Sequence, residues 1–547
     1  MAKDGIRKAF SGTVGAALLV LTMLFVFLYL AVRTIMFFEA DYHWYEKIMA
    51  AFLLLAEVFI MLHSFGYFLN ILHVIRHGGG GPQPAQEPLP QLKTYPPVAI
   101  LVASYHEPLH VLEDTLTCFY NLTYLNKQLY FLDDTRYDLE TADQDALAAY
   151  RREIDELCQS IGVNLFRRRW RGAKAGIIND FLDFIAGRDQ GGFEFTPYAG
   201  QSRLETAKYV IVFDADMNPF PDFVEPLVER MEANPRLAFI QTPQYYSNFD
   251  NNRVARAAGL QQAVFYEYIC EGKNISDAMF CCGTNVIFRR EAFEDVGGFD
   301  ESSVTEDIAT SLRFHLKGWS SAYLNKVCAF GMGPEDLGAY FRQQFRWALG
   351  TIGLGRHMLG QFLRRPGALP LGKWWEYFLS GTHYFVGWAF FIMMSCPILY
   401  LIWGVPAYFA KPELYFLVFF PYIALSVSIF LLTLERRHYA ARDMFMGQLL
   451  IGLSFPVMMK ASLLGILGVR GSFGITPKGR SLSLPLWGLW PQVFMCLLCV
   501  FAIAWGANRW LYEPVPAFAV AMNCFWCLYH LVIVSTSVMY FNRPVTE

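Results

Sequence analysis

The chain has 547 residues, of which 54% are hydrophobic and only 17% charged. That is too apolar for an ordinary soluble protein and points to a membrane protein, with length enough for two or three domains. The net charge of −3 leaves no basic excess to grip a nucleic-acid backbone, which excludes nucleic acid as a partner.

A membrane-spanning helix needs about 20 apolar residues. The first such run covers about 12–32 and the second about 48–72, with Glu57 an ionisable residue inside the second. The first run is too long for a signal-peptide core and no cleavage site follows it, so it reads as a retained anchor. Lys3, Arg7 and Lys8 precede the first run, and Arg76 and Lys93 follow the second. The link between them, "EADYHWYE", is acidic. The positive-inside rule then places the N-terminus and the chain after His77 in the cytoplasm. Residues 1–77 form an N-terminal membrane region. "GGGGPQPAQEPLPQLKTYPP", residues 78–97, is a linker by its Gly and Pro content.

Residues 98–355 have the composition of a soluble domain. "VAILVAS", "QLYFLDD", "KYVIVFDAD" and "LAFIQTP" read as buried parallel strands alternating with helical sequence, an α/β pattern. Most of them end in acidic or polar residues, and open α/β sheets bind ligands beyond their carboxyl strand ends. Residues 356–547 form a C-terminal membrane region. Apolar runs recur at about 377–403 and 414–434, and "ERRHYAAR" then returns the chain to the inside. The stretch of about 444–468 is broken by Pro456 and Lys460 and followed by the basic "VRGSFGITPKGR". With both ends inside it cannot span, and it reads as an interfacial or re-entrant helix. Runs at about 486–507 and 515–540 bring the expectation to six spans with both termini cytoplasmic.

Cys496/Cys499 and Cys524/Cys527 have the spacing of metal-binding pairs. They lie inside unbroken apolar runs, where structural zinc is not found, so membrane packing is the preferred reading.

Four motifs carry chemistry. "FLDDT" ends a strand with Asp133 and Asp134; "FDADM" ends another with Asp214 and Asp216. A D-x-D at a strand end points both carboxylates one way, which suits Mg²⁺ or Mn²⁺ shared with phosphates, or simply a solvated turn. "SVTEDIAT" puts Glu306 and Asp307 at a helix start. Thr305 there serves as a cap, or the carboxylates serve as a general base. "FRQQFRW" supplies Gln343, Arg346 and Trp347. This is a basic amphipathic helix on a membrane, or an arginine for a diphosphate and an indole face for a sugar. Aromatic residues reach 16%, and Trp347, Trp388, Trp403, Trp487 and Trp490 are either a polysaccharide lining or an interfacial belt.

Together, in this order, the motifs resemble those of processive family 2 glycosyltransferases, which include cellulose, chitin and hyaluronan synthases. "ASYHEP", "GAKAG", "IQTPQ" and "FCCGTN" add to the likeness, which runs from Val98 through the last span. "GSFGITPKG", within 469–481, resembles the gating loop of bacterial cellulose synthase catalytic subunits. The resemblance implies a Rossmann-like GT-A domain inserted in a helical membrane domain of six spans plus interfacial helices. It implies an inverting transfer from a UDP-sugar, with UDP-glucose expected, onto a growing polysaccharide. The product would be a β-linked glucan, β-1,4 first, exported across the bilayer of the plasma (inner) membrane with or without accessory subunits. A β-1,3- or mixed-linkage glucan, a chitin- or hyaluronan-like product, or a single sugar on a lipid carrier are the alternatives. By the same resemblance Ser104, Tyr105, Glu107, Asp133 and Asp134 hold uridine, and Lys174 contacts the nucleotide. Asp214 and Asp216 hold the metal–diphosphate, with Asp216 the direct ligand. Asp307, beside Glu306, is the general base. Gln343, Arg346 and Trp347 border the acceptor end and diphosphate, and Phe473, Thr476 and Lys478 close over the nucleotide.

Three departures stand out: "DDT" replaces D-D-G, Gln344 replaces a frequent Arg, and only seven or so residues follow the last span. The expectation is therefore of an enzyme without the cyclic-di-GMP-binding PilZ domain typical of the bacterial cellulose enzyme, which weighs against a strict cellulose assignment and against direct control by that nucleotide.

Overall fold

The computed structural model describes residues 13–77, 92–139, 143–188, 191–199, 207–407, 412–469 and 482–543. The expected gating residues Phe473, Thr476 and Lys478 lie outside the described residues, as does most of the 78–97 linker.

Among the described residues six helices are long and apolar enough to cross a membrane: Thr13–Glu39, Trp44–Arg76, Leu371–Trp403, Phe416–Arg436, Leu486–Tyr512 and Ala517–Phe541. Each contains one of the apolar runs read from the sequence or most of it. The stretch around Pro456 is two helices, Arg442–Leu453 and Phe455–Ile466, bent by 53°. Proline has no N–H to continue the first helix and its fixed φ suits the first turn of the second.

Between the second and third spanning helices lies an eight-stranded sheet. Its strands are β1 (Val98–Ser104), β2 (Lys127–Asp133), β3 (Asn164–Arg168), β4 (Phe193–Thr196), β5 (Tyr209–Asp214), β7 (Leu237–Gln241), β9 (Val286–Arg289) and β10 (Ser320–Tyr323). The order is β10-β7-β9-β5-β1-β2-β3-β4. A second small sheet joins β6 (Met217–Pro219), β11 (Ala329–Gly331) and β8 (Tyr245–Tyr246). Strands β5, β1, β2 and β3 are parallel neighbours, as their unbroken apolar sequences lead one to expect. "LAFIQTP" runs the same way as β5 but is not its neighbour, because β9 inserts between them antiparallel to both.

Alternate residues of β1 serve two cores. Val98, Ile100 and Val102 pack on one face of the sheet, Ala99 and Leu101 on the other, all fully buried. This is the mixed, Rossmann-like sheet of a GT-A domain set within a helical membrane protein.

Buried ion pairs fasten the sheet domain to the spanning helices. Lys273 donates to Glu376 Oε2 at 2.8 Å with both side chains almost wholly covered. Arg437, beyond the Pro412–Arg436 helix, reaches Glu267 at 3.1 Å and Glu271 at 2.8 Å. Glu267 sits in a π-helical turn, Phe265–Cys270, where one extra residue per turn re-aims the side chains.

Candidate active site

The carboxyl ends of β1, β2 and β5 open into one cavity of about 740 Å³. Ser104, Tyr105 and Glu107 line it from the end of β1, and Asp134 from the end of β2. Asp214 and Asp216 line it from the end of β5, Lys174 and Glu306 from helix starts, and Arg346 from helix Leu337–Arg364. The far wall is built from that helix and from Gly465, Gly468 and Val469, at the end of the bent helix pair.

Local chemistry explains each placement. At the end of β5, Ala215 turns into the core, so Asp214 and Asp216 share the cavity side. The Lys174 ammonium donates to Asp214 Oδ1 and, at 2.6 Å, to the Gly283 carbonyl. Burial alone would lower its pKa; Asp214 and Glu306 reverse that and hold it above the usual lysine value. The Asp214 N–H donates to Thr284 Oγ1 at 2.9 Å.

Glu306 and Asp307 open helix Glu306–Leu316. The Thr305 side chain makes no capping bond, so the carboxylates do not owe their place to a Thr cap. Asp307 Oδ1 accepts from the Ile308 N–H at 2.8 Å. Its other oxygen faces Gly283, where a Cβ would stand 3.3 Å away and φ is +83°, a position only glycine takes easily. Burial pushes Glu306 up to about 7, with Asp307 adding and Lys174 opposing. Burial likewise pushes Asp307 up to about 6 against its Ile308 N–H bond and Lys174. A carboxylate titrating near neutrality is suited to take a proton.

The "DD" pair divides. Asp134 lines the cavity, is paired with Arg168 at 3.0 Å, and is pushed up to about 8 by burial, with Arg168 opposing. Asp133 is turned away from the cavity lining. It is almost fully buried and bound by Arg167 and the Tyr137 hydroxyl, each at 2.7 Å. Thr135, in place of the common glycine, accepts from the His106 N–H at 3.2 Å and so ties the β2 turn to the β1 turn.

In helix Leu337–Arg364, Arg346 reaches the cavity, while Gln343 is outside the cavity lining and lies beside the Tyr246 hydroxyl, whose bond is from Gln262 at 2.8 Å. Trp347 is half-buried and outside the cavity lining. Gln344 is 1% exposed, which accounts for an uncharged residue at that position. Trp403, Trp487 and Trp490 are exposed at the ends of spanning helices, the belt arrangement rather than a lining. Trp388 faces inward, donating to Ser462 Oγ at 3.0 Å.

Sequence reasoning missed Arg136, Trp170, Glu301, Arg356 and His357, all of which line the cavity. The first two flank motifs already singled out, which was the available signal.

Among the described residues no three His, Cys, Asp or Glu side chains converge as a metal cage. The donor set is instead carboxylate-only: Asp216 and the Asp214 oxygen not bonded to Lys174. That fits Mg²⁺ or Mn²⁺, which take one or two carboxylates and complete their shell with phosphate oxygens and water.

The model of the family "Glycosyl transferase family 2" matches residues 99–297, and that of "Glycosyl transferase family group 2" matches 209–431. Between them the two matches make residues 99–431 similar to family 2 glycosyltransferases. The chain is 26% identical over 463 residues to "Cellulose synthase catalytic subunit [UDP-forming]" of Pseudomonas fluorescens (strain SBW25), covering 81% of this chain and 56% of the relative. It is 26% identical over 508 residues to "Cellulose synthase 1 catalytic subunit [UDP-forming]" of Komagataeibacter xylinus, covering 90% and 61%. It thus spans about three-fifths of the length of these relatives. Among solved structures, a mannosyltransferase from Pyrobaculum calidifontis in complex with GDP-Man and Mn²⁺ matches with TM-score 0.47 and 15% identity. The match covers 76% of this chain and all of that one, and a likeness of that size decides nothing about the site.

Proposed function

We propose that this protein is a membrane-embedded, processive, inverting glycosyltransferase. It polymerises a UDP-sugar, UDP-glucose in the first instance, into a β-linked glucan, β-1,4 before other linkages, and passes it across the membrane. The supporting observation is the meeting, around one cavity, of Asp134, Asp214, Asp216, Lys174, Glu306 and Arg346, with helix Leu337–Arg364 forming the wall toward the membrane.

In this reading Ser104, Tyr105, Glu107 and Asp134 hold the nucleoside. Lys174 and Arg346 bring positive charge to the diphosphate, and Asp214 and Asp216 would hold Mg²⁺ or Mn²⁺. When bound, the cation neutralises charge building on the diphosphate. Asp307 takes the proton of the acceptor's terminal hydroxyl. The oxygen bonds to the anomeric carbon as the carbon–oxygen bond to the diphosphate breaks, releasing UDP. Attack opposite the leaving group turns an α-linked donor into a β-linked product. The catalytic domain lies on the cytoplasmic side, supported by Arg76, Arg436 and Arg437 at the ends of spanning helices.

The test is to reconstitute the protein in lipid with each UDP-sugar and Mg²⁺ or Mn²⁺. UDP release is followed and the product digested with linkage-specific glycosidases. Asp307→Asn should lower turnover by about 10²–10⁴ while UDP binding persists. UDP release without polymer would reduce the reading to single-sugar transfer. Wild-type turnover surviving in Asp307→Asn would remove its assigned role.

A further inference from the structure

Lys174 and the Glu306–Asp307 pair stand on two different helices, Ala173–Ile185 and Glu306–Leu316. The segment Phe299–Glu301, whose last two residues line the cavity, joins them by alternate residues. Phe299 and Glu301 bond to the lysine helix and the loop before it. Asp300, between them, bonds to the carboxylate helix.

Asn179, in the second turn of the lysine helix, makes the first attachment. Its Nδ2 donates to the Phe299 carbonyl at 3.0 Å, and its Oδ1 accepts from the Phe299 N–H at 2.8 Å. One amide thus takes both main-chain groups of one residue. Nδ2 donates again, to Glu301 Oε1 at 2.8 Å, so the donors and the acceptor of the side chain are all engaged at this segment. The approach is close. Gly298 has φ +82°, and a Cβ there would stand 2.4 Å from Asn179 Oδ1. The other Glu301 oxygen accepts from Arg171 Nη1 at 2.6 Å. It also lies over Gly172, the residue before the lysine helix, where a Cβ would stand 2.7 Å from it.

Asp300 makes the second attachment. Its N–H donates to Thr310 Oγ1 at 2.9 Å, and its Oδ2 pairs with Arg313 Nη2 at 2.8 Å. Thr310 and Arg313 lie one and two turns beyond the carboxylates on their own helix. Phe299 is buried and packs on Phe288 and Phe293, which holds the segment to the sheet. Fixed at three successive residues, the segment has no freedom to slide, and it sets the spacing between Lys174 and the carboxylates. Hydrogen bonds of this kind add modestly to stability. A displacement of about 1 Å at reacting groups, by contrast, costs about 10²-fold in rate.

We infer that Asn179 is a positioning residue: through Phe299 and Glu301 it sets where Glu306 and Asp307 stand relative to Lys174. This rests on the roles proposed above for Asp307 and Lys174. The experiment uses the full chain in lipid nanodiscs and follows UDP release from UDP-glucose, or from the UDP-sugar that wild type turns over fastest. It records kcat, KM, UDP affinity and thermal unfolding, with rates taken well below the lowest unfolding temperature. Asn179→Leu keeps the volume and removes the bonds to Phe299 and Glu301. Thr310→Val removes a bond to the same segment from the other helix, and keeps the inference falsifiable where Asn179→Leu folds poorly. Arg289→Met is the comparator for lost stability alone. It removes bonds to the carbonyls of Leu237, Met231 and Asn234, beside Tyr209 at the opposite end of β5 from Asp214. Asn179→Leu should lower kcat about tenfold or more, with KM and UDP affinity within about twofold of wild type. Thr310→Val should show the same split, with kcat down about threefold or more. Arg289→Met should keep kcat within about twofold of wild type while its unfolding temperature falls. A kcat unchanged in folded Asn179→Leu or in Thr310→Val overturns the inference. So does an equal loss of kcat in Arg289→Met, or a loss that appears in KM and UDP affinity instead of kcat. Failure of the donor reading shows separately, as no UDP release by wild type from any UDP-sugar.

Discussion

Replacing Lys174 by methionine tests the electrostatics of the whole site. Its ammonium holds Asp214 Oδ1 and the Gly283 carbonyl, and it lowers the pKa of both Glu306 and Asp307. Methionine keeps the length and removes the charge, leaving three carboxylates facing one another without it. An opposite charge at this range is worth about 1–3 pKa units to a carboxylate. Taking one unit, Asp307 moves from about 6 to about 7. A general base works ionised, so turnover rises with pH through its pKa. At pH 6.5 the ionised fraction falls from about three-quarters to about one-quarter, and at pH 8.5 it is nearly complete in both proteins. The acid limb of the rate profile should therefore shift up by about one unit or more in Lys174→Met. A lower plateau at high pH would report the separate loss of charge at the diphosphate. The assay is UDP release at saturating donor from pH 5.5 to 9. If the two profiles superpose after scaling, Lys174 does not set the ionisation of the base and the argument fails.

Three further outcomes follow from the same geometry. Glu306 is pushed up to about 7, so its protonated form favours the fold below the ordinary glutamate range and that contribution is lost as pH rises through 7; Glu306→Gln should gain about 1–2 kcal/mol at pH 8 and almost nothing at pH 4, and equal gains by thermal unfolding at both would refute this. Lys273→Met leaves the buried Glu376 carboxylate unpaired and should cost about 3–5 kcal/mol, whereas Lys273→Met with Glu376→Leu should recover most of it; an equally large loss in the double variant would show the pair is not the cause. A Cβ at Gly350 would lie 2.4 Å from Thr305 Cγ2, so Gly350→Ala should displace the start of the Glu306 helix and cut turnover about tenfold or more, while Gly360→Ala, in open space, should match wild type in the UDP-release assay.

What the sequence reveals divides along physical lines. Spanning helices are legible because length and hydropathy alone decide them, and β1, β2 and β5 because both faces of each strand are covered. β3 is not, since "NLFRR" hides two arginines. Arg167 is buried by pairing with Asp133 and Asp155, and Arg168 by pairing with Asp134 and Asp180. That pairing is made across the fold and leaves no mark on local pattern. It also explains why the neighbouring Asp133 and Asp134 part ways: the side-chain alternation of a strand end is legible, but which aspartate meets an arginine in the core is not. β9 is missed for a related reason, being four residues long and reversed between two strands whose sequences suggest direct neighbours.

The helix bearing Glu306 and Asp307 shows why the membrane region and the chemistry are one unit. At its start, Thr305 packs against Gly350 of the helix that also carries Arg346. Near its end, His315 bonds to the Tyr377 hydroxyl at 2.7 Å and to Ser321 Oγ at 2.9 Å. Burial, with Lys373 adding, holds His315 down at about 3, so it is neutral throughout the working pH range and serves as a fixed strut. Tyr377 belongs to the helix that leads into the third span. The carboxylates are thus positioned from both ends by helices that continue toward or into the bilayer. A shift of a spanning helix is transmitted to them through packed side chains, because a close-packed interior has no slack to absorb it. Residues 98–355 alone therefore lack the Tyr377 contact, one of those that aim the carboxylates.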